Sequence, residues 1–127
     1  MSEPVRGVVV SHARLSASLV DAVECVLGPT DNLVAVSNEG CDRGAILDRL
    51  RAAVRDDQPT ILFVDLPGGS CYTAAATLQR ERPSVTLVAG VNLPMLLDFV
   101  MHATEAPESA VSHAVAAGSR AITVTGP

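Results

Sequence analysis

Lysine and tryptophan are absent from this chain of 127 residues, and aromatic side chains make up only 2% of it. All nine basic residues are therefore arginines, which eliminates any mechanism that needs a lysine ammonium or a Schiff base. With so few rings, the interior has to be built from Val, Leu, Ile and Ala. There is no basic run and the net charge is −5, which argues against nucleic acid as a partner. The three cysteines, Cys25, Cys41 and Cys71, form no C-x-x-C pair and are odd in number, a pattern of reduced thiols rather than of a disulfide framework. The amino-terminal stretch MSEPVRGVVVSH holds too short an apolar run for a signal peptide or membrane helix, so a soluble cytoplasmic protein is expected.

What is present is ample material for a core: 48% of residues are apolar and 18% charged, suited to one domain over 1–127. Residues 5–10 are a continuous β-branched run, the mark of a strand buried on both faces. Leu15, Leu19, Val23, Val26 and Leu27 then recur at helical spacing until Gly28-Pro29. A strand is predicted at 33–36, and Asp42 is placed to cap a helix that carries Ile46, Leu47, Leu50 and Val54 on one face. Strands at 60–64 and 84–88 frame a Pro-Gly-Gly-Ser turn (67–70) and an alanine-rich helix to about Arg80. Pro94 suits the first turn of the next helix, a last helix near 107–117 should close at Gly118, and 120–124 reads as a terminal strand. Such alternation predicts an α/β fold: an open, doubly wound, mostly parallel sheet with helices on both faces, for which the order 2-1-3-4 is taken.

In a sheet of this kind ligands meet the carboxyl ends of the strands where the strand order reverses. His12 follows the first strand and Asp65 ends the third, so if those strands are neighbours, as in a 2-1-3-4 order, the two residues face each other. A carboxylate that accepts the Nδ1–H bond fixes the tautomer and leaves Nε2 with a free lone pair. The plainer alternative is a histidine that packs at a helix start in a structural ion pair. Gly68, Gly69 and Ser70 follow Asp65. They are either an ordinary strand-to-helix turn, with Ser70 as its cap, or a set of donors able to hold an anion. Arg14 opposes the macrodipole of the first helix and is read either as a solvated side chain or as a contact to phosphate or a partner. Cys71 lies in the same place, at a helix start that is expected to lower its pKa. His102 and His113 fall on helices and read as ordinary surface residues.

Three stretches in order, V-V-V-S-H-A-R-L (8–15), F-V-D-L-P-G-G-S (63–70) and V-A-G-V-N-L-P-M-L (88–96), carry a resemblance. With them the chain resembles the IIA components of the mannose/fructose/sorbose-type bacterial sugar phosphotransferase system over nearly its whole length. The resemblance implies a phosphoryl carrier: His12 accepts the group from phospho-HPr and passes it to a histidine of a separate IIB protein. It further implies that Asp65 orients His12, that Gly69 and Ser70 surround the phosphoryl group, and that the protein is a homodimer exchanging the strand at 120–124. Contact with the membrane would be indirect, through the permease complex. The chain departs from the family pattern at Ala13, where glycine is usual, and at Cys71 and Thr73, where proline and asparagine are frequent.

No cofactor and no metal are expected, since transfer between two imidazoles needs neither. A receiver domain is excluded by the missing lysine and acidic pair, and dinucleotide, P-loop and hydrolase signatures are lacking. Tyr72 is the lone candidate near the site for a flavin contact. Two relatives of the main reading stay open: a regulatory phosphoprotein that senses flux through the phosphotransferase system, and a phosphotransfer subunit serving dihydroxyacetone kinase.

Overall fold

The computed structural model describes residues 3–127; Met1 and Ser2 of the amino-terminal stretch lie outside them. Strands β1 (Arg6–Ser11), β2 (Leu33–Ser37), β3 (Thr60–Val64) and β4 (Val85–Ala89) alternate with helices α1 (Leu15–Leu27), α2 (Arg43–Ala53), α3 (Gly69–Glu81), α4 (Leu93–His102) and α5 (Pro107–Arg120). The strands form one all-parallel sheet in the expected order β2-β1-β3-β4, which sets the first and third strands side by side. The two central strands are apolar on both sides because both sides are covered. Val8, Val10, Leu62 and Val64 face α2 and α3, whereas Val9, Ile61 and Phe63 face α1, α4 and α5. Phe63 meets Phe99 of α4 edge-on, with ring centroids 5.1 Å apart, and so two of the three aromatic residues sit in one contact.

Helix starts follow local chemistry. Asp42 accepts the Ala45 N–H at 2.8 Å and caps α2 as expected. Asn92 does the same for α4 by accepting from Met95 N–H at 3.0 Å, with Pro94 in the first turn. Gly7 lies on β1 beneath Phe99 and Leu33; a Cβ there would come within 2.7 Å of both side chains.

The carboxyl terminus differs from expectation. Gly118 does not end the last helix, which runs on to Arg120. A Cβ at Gly118 would come within 2.9 Å of Met95 and 3.0 Å of Asn92 Oδ1, and the Gly118 carbonyl accepts from Asn92 Nδ2 at 3.0 Å. This glycine is therefore a close-approach point where α5 crosses the start of α4. Residues 122–127 form no strand within the single chain, and Ile122 and Val124 stand 78% and 91% exposed. A strand needs an edge to pair with, and in a single copy the segment lies against neither β2 nor β4 as a paired strand.

Candidate functional site

At the carboxyl end of the central strands the chain reverses twice within a few ångströms. Asp65 is drawn over the end of β1 by its own main chain, whose N–H donates to the Val10 carbonyl at 3.2 Å. One oxygen of its carboxylate, Oδ2, then accepts both the His12 main-chain N–H at 3.0 Å and the His12 ring at Nδ1, 2.9 Å away. The other oxygen accepts the Leu66 N–H at 3.0 Å. Asp65 is 9% exposed and His12 41%, so the carboxylate is sheltered and the ring is open on its far side. Burial pushes the Asp65 carboxyl up, but the His12 main-chain and ring hydrogen bonds outweigh it, and the group stays below the usual carboxylate range. An ionised Asp65 makes Nδ1 the protonated nitrogen and leaves the Nε2 lone pair free.

That lone pair faces a helix start. Gly69 opens α3 with a φ of 88°, a conformation that suits glycine. A Cβ on it would stand 3.7 Å from both Cε1 and Nε2 of His12. The helix has no side-chain cap, so its first-turn amides have no partner within the helix and present partial positive charge beside Nε2. Gly68 is the cap residue and Ser70 belongs to the first turn; Ser70 is thus not the cap that the sequence leaves open. Thr73 turns its hydroxyl back to the Gly69 carbonyl at 2.9 Å. Arg14 sits at the cap position of α1, exposed and without a capping bond.

Cys71 corrects an expectation. Its thiol is pushed up rather than down, first by burial and then by the nearby Asp65 charge. It is fully buried and belongs to the core beneath the site, where desolvation outweighs the helix start.

Polar side chains gather at two places, the first expected from the sequence and the second missed by it. His12, Asp65 and Cys71 bring ligand-type atoms within 4.8 Å of one another, and so do Asp98, His102 and His113. In the second group the two imidazoles stack with centroids 4.3 Å apart and planes 6° from parallel, so their in-plane lone pairs do not converge on a common point. The pairing joins the end of α4 to α5, and only the i, i+4 spacing of Asp98 and His102 could have hinted at it. The Ala103 carbonyl, next in the chain, accepts from the Val5 N–H just before β1, which puts this cluster at the opposite end of the sheet from His12.

Comparison with known proteins shows the family of the chain. The family described as "PTS system fructose IIA component" matches residues 7–116. The sorbose-specific EIIA component of Klebsiella pneumoniae is 30% identical over 100 residues, covering 76% of this chain and 73% of that protein. The sorbose-specific EIIA component of Lacticaseibacillus casei is 30% identical over 112 residues, 84% of this chain and 80% of that one. A crystal structure of a phosphotransferase system component EIIA from Streptococcus agalactiae superposes with a TM-score of 0.88 at 20% identity, covering 94% of this chain and 96% of the other. No described helix is long and apolar enough to cross a membrane.

Proposed function

The chain belongs to the mannose/fructose/sorbose-type IIA family of the sugar phosphotransferase system, and from that premise we propose that it is a cytoplasmic phosphoryl carrier with His12 as the acceptor. The observation that carries this reading is the single Asp65 oxygen, 2.9 Å from Nδ1, that leaves Nε2 bare beside the α3 amino terminus. In the forward step the Nε2 lone pair of His12 attacks the phosphorus of phospho-HPr in line. The new N–P bond forms as the N–P bond to the HPr histidine breaks, and the released electron pair returns to that imidazole. The His12 Nδ1 proton stays on the ring throughout, and the positive charge that grows there faces the Asp65 carboxylate. Amides of Gly69 and Ser70, with the Ser70 hydroxyl, are donors for the phosphoryl oxygens. The second step repeats the first toward a histidine of a separate IIB protein.

Both the bond broken and the bond made are N–P bonds, so the step is nearly balanced and reversible. Positioning and electrostatics are then all that the protein has to supply. Arg14, exposed at the rim beside His12, is a contact for a docking partner in this reading. The whole chain acts as one IIA unit, and the exposed Ile122 and Val124 fit a homodimer in which the segment after α5 pairs with a second copy. Multi-angle light scattering should return twice the chain mass, and truncation after Arg120 should return the monomer.

Intact-mass spectrometry after incubation with phosphoenolpyruvate, enzyme I and HPr tests the carrier itself. One phosphoryl group that is acid-labile and base-stable should appear, and His12→Ala should carry none. A phosphoryl group persisting in that variant would end the assignment.

A further inference from the structure

Ala13 is the only non-glycine residue among those described with a left-handed backbone, at φ 51°. It stands directly between His12 and the turn into α1. A Cβ in that region crowds the following carbonyl, so an alanine stays there only where other contacts hold it. Two neighbouring side chains at the end of β2 provide them. Asn38 Oδ1 accepts the Ala13 N–H at 2.9 Å, and the Ser37 hydroxyl donates to the Ala13 carbonyl. Both polar groups of the Ala13 main chain are thus bound by side chains from another strand.

The holders are themselves held. The Asn38 N–H donates to the Ser11 carbonyl at 3.1 Å, and the Asn38 carbonyl accepts from the Cys41 N–H at 3.0 Å. The Ser37 hydroxyl oxygen accepts the Glu39 N–H at 3.0 Å, while Arg49 donates to the Ser37 carbonyl at 2.9 Å. On the other side of Ala13, the Ser11 hydroxyl donates to the His12 carbonyl at 3.0 Å and accepts the Ser16 N–H at 2.6 Å.

We infer that Asn38 and Ser37 are positioning residues for His12: they hold Ala13 left-handed and so fix the direction in which the chain leaves the histidine. Without them Ala13 relaxes toward the favoured backbone regions, and the peptide plane between residues 12 and 13 turns. Nδ1 then leaves Asp65 Oδ2, and Nε2 no longer faces Gly69. Neither residue touches the imidazole; the effect passes through the backbone of one strained residue. The functional half of this inference rests on the carrier reading above.

Removing the strain instead of the clamp tests it. Asn38→Ala is made in the natural sequence and in the Ala13→Gly background, where a left-handed backbone carries no Cβ penalty. Single-turnover transfer from phospho-HPr and the His12 tautomer, read from imidazole 15N–1H NMR, are measured in each. Asn38→Ala should slow transfer about tenfold with Ala13 in place and by less than about twofold beside Ala13→Gly, a strong coupling between the two positions. The NMR signature should follow, shifting in the first case and returning in the second. Ser37→Ala should repeat the pattern, and Asn38→Asp, which keeps an acceptor oxygen, should retain the natural tautomer. An equal loss in both backgrounds, or no loss with Ala13 in place, overturns the inference. Unmodified protein that accepts no phosphoryl group overturns the carrier reading instead, and the tautomer comparison then decides for or against the clamp by itself.

Discussion

All three histidines in this molecule face carboxylates, and two of them, His12 and His102, are held in opposite ways. His12 gives its ring Nδ1 and its main-chain N–H to the same Asp65 oxygen, and its Nε2 looks out over a helix amino terminus. His102 donates from Nδ1 to the Asp98 carbonyl at 2.9 Å, has Glu105 3.7 Å from its Nε2, and carries His113 stacked on its face. A neighbouring carboxylate therefore does not by itself make an imidazole a nucleophile. The difference is at the second nitrogen: one histidine has a free lone pair beside positive dipoles, and the other has an acid beside each of its nitrogens. The hydrogen bond to the Asp98 carbonyl, opposed by desolvation and aided by the charges of Asp98 and Glu105, raises the pKa of His102.

The largest expected effect that sharpens this contrast is on rate. Asp65→Asn should slow phosphoryl transfer by about a hundred- to ten-thousand-fold, by analogy with other oriented histidines, while Asp98→Asn leaves the rate within about twofold. Stopped-flow or rapid-quench transfer from phospho-HPr measures both.

A smaller effect is on stability in acid. The Asp65 pKa is lower folded than unfolded, so its contribution is present above about pH 4 and is lost as pH falls through the folded value. Denaturant titrations should show stability falling with acidification in that window, and Asp65→Asn should remove part of the slope. The smallest effect has the opposite sign. With its pKa raised on folding, His102 stabilises fully below about pH 6.5 and loses that contribution as pH rises through the folded value. A shallow fall in melting temperature across neutral to mildly alkaline pH should be flattened in His102→Gln. An unchanged profile in that variant would remove the cluster from the stability account.

Much of the scaffold was legible because its signals are local. Continuous apolar runs mark strands covered on both faces, and the turns between them are punctuated by Gly28-Pro29, Asp42, Pro67 and Pro94. That alternation gives an open parallel sheet, and with the order 2-1-3-4 taken for it comes the meeting of His12 with Asp65, 53 positions apart. What stayed hidden depends on tertiary distance. Gly118 has the look of a helix stop, yet it is needed for the close passage of α5 over Met95 and Asn92. Gly7 gave no sign of lying under the Phe99 ring. The I-T-V run at 122–124 has strand propensity but pairs with no strand within one chain. Cys71 was misjudged because the helix start is visible in sequence and the depth of burial is not. Asn38 belongs to no motif, and its link to Ala13 exists only because β2 lies beside β1.

An imidazole can in principle react through either ring nitrogen, and in solution the two compete. Here the oxygen that anchors His12's own backbone also masks its proximal nitrogen, so turning the ring over would break that contact and bring a carbon up against the carboxylate. Asp65 therefore works as a regiochemical guard that leaves only the distal nitrogen open to an electrophile, so the carrier reading proposed above calls for a single phosphohistidine isomer.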